Sequence, residues 1–195
     1  MRIILHLLFL PVFFACNQSS SLSEADGSEA PPLSSAAIRE PYPDDPTRVK
    51  VTLNDTQGNV TEQGEYFNNK RDGAWTSFHS NGYPKEVTSY VGGKKQGSWI
   101  SLDNRGQLLE RAYYANDKLH GLLTKYNRSR VKEEYSYSNA VLNGTVKKYY
   151  DNGNIMEESN YLNGKLDGLA RWYDQNGNIT IEYEYKDGEW LNPEQ

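Results

Sequence analysis

From Val49 onward one period governs the chain. The tyrosines Tyr66, Tyr90, Tyr114, Tyr137, Tyr161 and Tyr185 recur at intervals of 24, 24, 23, 24 and 24 residues. A glycine column (Gly73, Gly97, Gly121, Gly144, Gly168) keeps the same beat, and so does a second one (Gly58, Gly82, Gly106, Gly153, Gly177). Three columns in register are the signature of one small supersecondary unit repeated in tandem. Such a chain cannot be an ordinary globular domain with unrelated elements; each unit must bury its surface against the next.

The punctuation inside the unit says which element repeats. Asn81-Gly82, Asn152-Gly153 and Asn176-Gly177 are strong short hairpin signals, because Asn and Gly tolerate the positive φ of a tight strand reversal. Before each tip lies a short strand, such as Gly73 to Phe78 or Gly97 to Leu102, and after it another, such as Asn154 to Tyr161. A second turn, such as Asn163-Gly164-Lys165, leads into the next unit. Two reversals in about 24 residues leave room for two strands of roughly 5–8 residues. The expectation is an all-β fold, an elongated open antiparallel meander of tandem β-hairpin repeats over residues 49–191. About a dozen strands at roughly 4.8 Å would span some 50–60 Å. The composition agrees, with 15 Tyr, 16 Gly and only 2 Met.

The third unit breaks the pattern. In Tyr126-Asn127-Arg128-Ser129-Arg130-Val131, Ser129 stands where the tip glycine belongs and one residue is missing, so a tip of different shape is expected. At the far end Pro193 prevents further ladder bonding, and Trp190 is placed to cover the last hairpin. The first strand near Val49 to Val51 and the last near Glu189-Trp190 are expected to be open edges that could accept a strand from a partner.

Ahead of the repeats, Met1 to Ala15 has one positive charge, Arg2, and an apolar run broken only by His6 and Pro11. This is the shape of a secretory signal and is too short for a stable membrane span. Phe13-Phe14-Ala15-Cys16 resembles a bacterial lipobox with the small residue that cleavage needs, although Phe13 replaces the usual aliphatic residue. That resemblance implies a lipoprotein signal peptide over 1–15 and lipidation of Cys16. It further implies the outer membrane, facing either the periplasm or the exterior, since Asn17 is not the aspartate that retains such proteins in the inner membrane. Residues 16–48 are rich in Ser, Ala, Pro and acids and are expected to be a disordered tether.

The recurring Asn-Gly-Lys-x-Asp-Gly, followed by Trp or another apolar residue, Tyr, Asn-Gly, a Glu and a closing Tyr, resembles the MORN repeat variant of bacterial proteins of the YwqK antitoxin-like family. The likeness runs from about Val49 to Trp190. It implies a solenoid-like antiparallel sheet used for protein or membrane contact, and it carries the family label of an antitoxin in a toxin–antitoxin pair.

No enzyme motif stands out. The column Glu62, Glu86, Glu110, Glu133 and Glu157 places carboxylates roughly 9–10 Å apart, a spacing also compatible with glycosidase chemistry. Recurrence once per unit points instead to structure, with each Glu paired to cross-strand bases such as Lys125, Lys147 or Arg171 or to turn amides. Ile181 holds the sixth position of that column. Trp75, Trp99, Trp172 and Trp190 read first as packing of a thin sheet, with the remaining aromatic surface open to a partner. His79 and His120, isolated from other ligands and with no cysteine beyond Cys16, are expected in solvated loops and make no metal site. A formal charge of −5 disfavours nucleic acid. The reading is therefore a non-catalytic, membrane-anchored protein-binding module with no cofactor and no metal, whose partner is an unidentified protein. Its candidate binding surface is Trp75, Trp99, Arg128, Arg130 and Trp172. The alternatives are an antitoxin or immunity protein that neutralises a toxin, and a glycan-binding or glycan-active envelope protein.

Overall fold

A computed structural model describes residues 37–192. Its strands are β1 (Ile38–Tyr42), β2 (Asp45–Asn54), β3 (Val60–Phe67), β4 (Lys70–Phe78), β5 (Pro84–Val91), β6 (Lys94–Leu102), β7 (Leu108–Ala115), β8 (Lys118–Leu119), β9 (Gly121–Asn127), β10 (Arg130–Ser138), β11 (Val141–Tyr149), β12 (Ile155–Leu162), β13 (Lys165–Tyr173), β14 (Ile179–Lys186) and β15 (Glu189–Trp190). All fifteen form one antiparallel sheet in which each strand pairs with its neighbours in sequence. The short β8 pairs only with β7, and β9 takes the next place in the row. The fold is the open meander of hairpins that the period implies, roughly 60 Å across its strands. Among the described residues no helix is long and apolar enough to cross a membrane.

The sheet begins earlier than expected. Both β1 and the start of β2 lie inside the stretch 16–48 that low hydrophobicity marked as a tether. Ladder pairs Arg39↔Val51 and Glu40↔Lys50 order it, and the Tyr42 hydroxyl donates to Glu65 at 2.6 Å. Backbone pairing and polar contacts can order a strand that has little apolar surface to bury, which a composition argument overlooks. Pro41 fits here because β1 is an edge strand, where a missing N–H costs no ladder bond. The strand around Val49 to Val51 is therefore not an edge: it pairs with both β1 and β3. Residues 1–15, Cys16 and 17–36 lie outside the described residues.

Two kinds of reversal alternate, and their chemistry differs from the expected one. The tight two-residue turns with positive φ at both positions are Asn68-Asn69, Gly92-Gly93, Asn116-Asp117, Arg128-Ser129, Asn139-Ala140, Asn163-Gly164 and Asp187-Gly188. At the Asn81-Gly82, Asn152-Gly153 and Asn176-Gly177 tips only the glycine has positive φ. These tips are five-residue loops, closed in the last case by Asp174 N–H to Asn178 C=O at 2.9 Å and Gly177 N–H to Asp174 C=O at 3.0 Å. The asparagine is not needed for an unusual backbone angle; its side chain ties loops together. Asn81 donates to the carbonyl of Asn104 at 2.6 Å, and Asn152 donates to that of Gln175 at 3.0 Å. His79 belongs to the same set. It is half-buried, and its Nε2 lies 3.0 Å from the Leu102 carbonyl oxygen, so it is a loop-to-loop tie and not a solvated side chain.

The first glycine column marks bulges. In β4 the three residues Gly73, Ala74 and Trp75 face the single Gly64 of β3, and the same three-to-one irregularity recurs at Gly97, Gly144 and Gly168. Each of these glycines stands directly opposite a tyrosine of the column on the other neighbouring strand, as in Gly73↔Tyr90 and Gly168↔Tyr185. Two of the three sequence columns are thus one structural device.

The core is small and lies towards the N-terminal end, where Val51, Tyr66 and Trp75 are buried together. Trp75 is 3% exposed because Gly64 gives its indole room; a Cβ at Gly64 would come within 2.4 Å of the ring. The indole N–H donates to the Glu65 carbonyl at 2.9 Å. Further along, the buried residues are small or β-branched, among them Ala112, Thr124, Ser159 and Ala170, except for Tyr185. Trp190 lies 5.4 Å from the Tyr183 ring and covers part of the last hairpin while staying half exposed.

Candidate functional site

Strand register converts the glutamate column into a single row across one face. It runs Glu62, Ser77, Glu86, Ser101, Glu110, Lys125, Glu133, Lys148, Glu157, Trp172 and Ile181, each directly opposite the next or sharing a partner with it. The carboxylates are therefore two strand spacings apart, roughly 9–10 Å. Most are spent internally. Glu62 pairs with Arg71 at 2.7 Å, Glu133 with Lys125 at 3.4 Å and Glu157 with Lys148 at 2.9 Å. Lys147 and Arg171, which sequence placed beside this column, serve a neighbouring row instead: Lys147 meets Glu158 at 3.3 Å and Arg171 meets Glu182 at 2.5 Å. A one-residue step along a strand changes faces, and sequence spacing alone did not say which acid each base would reach.

Aromatic rings line the same face but never gather into one site. Arg71 lies 4.1 Å from the Trp75 ring and Lys95 5.2 Å from that of Tyr114, while Trp99 meets Tyr114 edge-on at 6.5 Å. Burial is the largest single influence on Arg71 and opposes its charge, but Glu62 together with Tyr90 and Tyr66 outweighs it and the guanidinium pKa moves up. Burial, and then the charges of Glu86 and Glu110, push the Tyr114 phenol up. Trp172 meets Tyr183 at 6.0 Å. Trp99 on β6 and Trp172 on β13 stand six strand spacings apart, about 29 Å. Trp75 offers almost no surface, being buried over Gly64, so it is removed from the candidate binding surface.

Arg128 and Arg130 stand in a different setting. The third unit replaces the five-residue loop with the two-residue turn Arg128-Ser129, at φ 50° and 65°. Neither residue is Asn or Gly, so the turn holds its arginine in a region that side chains disfavour. A register shift between Val131 and Glu133 restores the ladder behind it. The shortened hairpin breaks the row of tips and leaves a notch of about 590 Å³ lined by Arg130, Val131, Glu134, Tyr149, Asp151, Asn152 and Gly153.

The electrostatics of the notch are specific. Arg130 donates to the Asp151 carbonyl at 2.8 Å, and Lys132 holds the Asp151 carboxylate at 2.7 Å. That bond from Lys132, with its charge and those of Arg130 and Arg128, keeps the Asp151 carboxyl below the usual range. The Tyr149 hydroxyl donates to Glu134 at 2.7 Å; burial first, and then this bond, push the phenol well above its ordinary value. On the next strand Thr124, directly opposite Glu134, is fully buried with an unpartnered hydroxyl. Sequence singled out the two arginines through the broken period but missed Glu134, Tyr149 and Asp151. They come from other strands, and the only signal for them was the missing residue that opens the space. Among the described residues no group of three or more His, Cys, Asp or Glu could hold a metal ion.

Sheet, bulges and turns together define a tandem β-hairpin repeat protein. Residues 142–163 and 166–187 match the family described as MORN repeat variant, and these two segments are similar to its repeats. They cover β11 to β14 and the turns between them, and the same alternation of turns extends back to β2. No curated protein matches the chain.

Proposed function

We propose that this chain is a non-catalytic protein-binding module, exported and held at the outer membrane by a lipid on Cys16, with the repeat sheet presented to a protein partner. The observation that carries the reading is the fate of the titratable groups. Recurrent acids are drawn into cross-strand pairs such as Glu133–Lys125 and Glu157–Lys148, while the one break in the repeat opens a notch at the tip side of the sheet. A single-layer sheet also leaves large apolar side chains in solvent, including Tyr83, Tyr113, Ile181 and Tyr183. Recognition surfaces are built from such groups set on a rigid frame.

In-cell cross-linking of the full chain, followed by affinity capture and mass spectrometry, should return one protein reproducibly in near-stoichiometric amount. A wild-type chain that cross-links to nothing above background would end the binding reading. Metabolic palmitate labelling should mark the wild type and fail in Cys16→Ala; equal labelling of both would remove the anchor.

A further inference from the structure

We propose that the outer edge of β14 takes up an extended segment of the partner protein as an added antiparallel strand, one that sets a basic residue, flanked by apolar ones, opposite Glu182. The inference rests on the protein-binding reading and names the element and the side-chain pattern of the contact. The short β15 covers β14 only at Tyr185 and Lys186. The Leu191 N–H donates to the Glu184 carbonyl at 2.8 Å, so the backbone of Glu184 points away from β13, and that of Glu182, two residues back, points the same way. Among the described residues no strand pairs with β14 at Glu182 on that side. The same position in β12, Glu158, pairs with Arg171 of the following strand.

The side chains along this edge say which strand fits. Glu158 stands between two bases directly opposite it, Lys147 on β11 and Arg171 on β13, and Glu134 likewise faces Lys147. Glu182 has Arg171 on its inner side and no base on its outer side. The period puts Gln195 in the column of Lys147 and Arg171, with Pro193 and Glu194 just before it. The chain's own sequence therefore brings no base to that column, and two positions earlier it has a residue without an N–H. Residues 165–190 carry six acids (Asp167, Asp174, Glu182, Glu184, Asp187 and Glu189) against three bases (Lys165, Arg171 and Lys186), a net charge of −3. Glu184 holds no ion pair among the described residues. The other face of the edge is apolar. Ile181 replaces the glutamate that Glu62, Glu86, Glu110, Glu133 and Glu157 hold in their units, and with Tyr183 it is 45% and 40% exposed, respectively. Open edges are commonly guarded by charge or a bulge. An edge with one acidic and one apolar face selects a strand that alternates base and apolar residue. A second copy of the same edge would set acid against acid, which disfavours self-pairing.

The test is fluorescence anisotropy of the full chain with a fluorescein-labelled, amidated copy of β13, Lys-Leu-Asp-Gly-Leu-Ala-Arg-Trp-Tyr, whose arginine faces Glu158 in the fold and is offered here to Glu182. A probe with glutamate in place of that arginine should bind at least about tenfold more weakly. N-methylation at the arginine, which removes the N–H given to Glu182, should abolish measurable binding, whereas N-methylation at the alanine, whose N–H points away, should change it less than about threefold. Ile181→Glu restores the residue of the other units, so it leaves the repeat intact, and it should weaken the probe about fivefold. Glu182→Lys should reverse the order of the arginine and glutamate probes; Ile181→Glu carries the argument if Glu182→Lys, beside Arg171, disturbs folding. No measurable binding of the arginine probe, equal binding of the arginine and glutamate probes, indifference to methylation at the arginine, or unchanged binding by both variants would overturn the proposal. So would a wild-type chain that sediments as a dimer while Ile181→Glu is a monomer, since a second copy then occupies the edge. In-cell capture of the partner that persists in both variants alongside such a result would leave the binding-module reading standing and remove the edge alone.

Discussion

The two halves of the glutamate row set their cations in different places. In the N-terminal half the residues between the acids are Ser77 and Ser101, and the cations Arg71 and Lys95 stand opposite Tyr66 and Tyr90, four residues along the strand from Glu62 and Glu86. In the C-terminal half the cations are in the acidic row itself, Lys125 and Lys148, and the positions opposite the tyrosines are leucines, Leu119, Leu142 and Leu166. Packing divides along the same line. A buried tryptophan sits on a glycine at one end, and small residues fill the equivalent space at the other. The comparison teaches that the repeat keeps its acids without fixing where a cation stands beside them. A recurring acid in such a protein is therefore weak evidence for catalysis.

The largest test of that difference is in the core. Trp75→Ala should lower stability by about 3–5 kcal/mol in denaturant unfolding, since a fully buried indole is lost. Trp99→Ala, at the partly buried equivalent position, should cost about 1–2 kcal/mol. Equal losses would erase the asymmetry between buried and open units. Next comes the bulge glycine. Gly144 has φ 115°, and an added Cβ would lie 2.9 Å from the Cβ of Ser136, whereas Gly73 has φ 69° with open space around it. Gly144→Ala should cost about 2–3 kcal/mol and Gly73→Ala roughly 1 kcal/mol, by thermal or chemical melts.

Charge substitutions sharpen the comparison at smaller scale. Lys148→Met should destabilise by about 0.5–1 kcal/mol, because Glu157 loses its partner at 2.9 Å. Ser101→Lys, which grafts the C-terminal arrangement between Glu86 and Glu110, should gain up to about 0.5 kcal/mol, and the gain should fade in high salt. A destabilised Ser101→Lys protein would mean that the two halves are not interchangeable solutions.

The smallest effect is local and set by pH. Three tips open with Asp, at Asp55, Asp103 and Asp174, whose carboxylates accept from loop backbone N–H groups at 2.9 Å. These bonds, led by the Asn59 and Asn178 side-chain amides at the first and third and by the Gln107 N–H at the second, hold the carboxyl pKa values down. A depressed carboxyl supports the folded loop above its unfolded value of about 3.9 and loses that support as pH falls through the folded value. Below about pH 4 the amides of Gly58, Gly106 and Gly177 should therefore lose exchange protection before those of Gly82 and Gly153, whose tips begin with His79 and Tyr150. Simultaneous loss would show that the aspartate bonds do not hold the loops.

Much of this was legible in the chain. The beat of Tyr66 to Tyr185, with the two glycine columns and two turns in each unit of about 24 residues, pointed to an antiparallel row of hairpins and favoured an open sheet over a closed barrel. The broken beat at Ser129 fixed the place where the sheet is irregular. Composition misjudged residues 38–48, since a strand can be ordered by ladder bonds and by Tyr42 and Arg48 meeting Glu65 without an apolar core. It also could not tell Trp75 from Trp99: both occupy one column, but only the first has Gly64 beneath it.

What the sequence determined is the element, its period and the number of its copies, all of which follow from local turn and strand chemistry. Only the tertiary structure decided which acid meets which base, which tryptophan is buried and what lines the notch at Arg130. Those outcomes depend on register between strands some twenty residues apart, where one bulge moves every later side chain to a different neighbour.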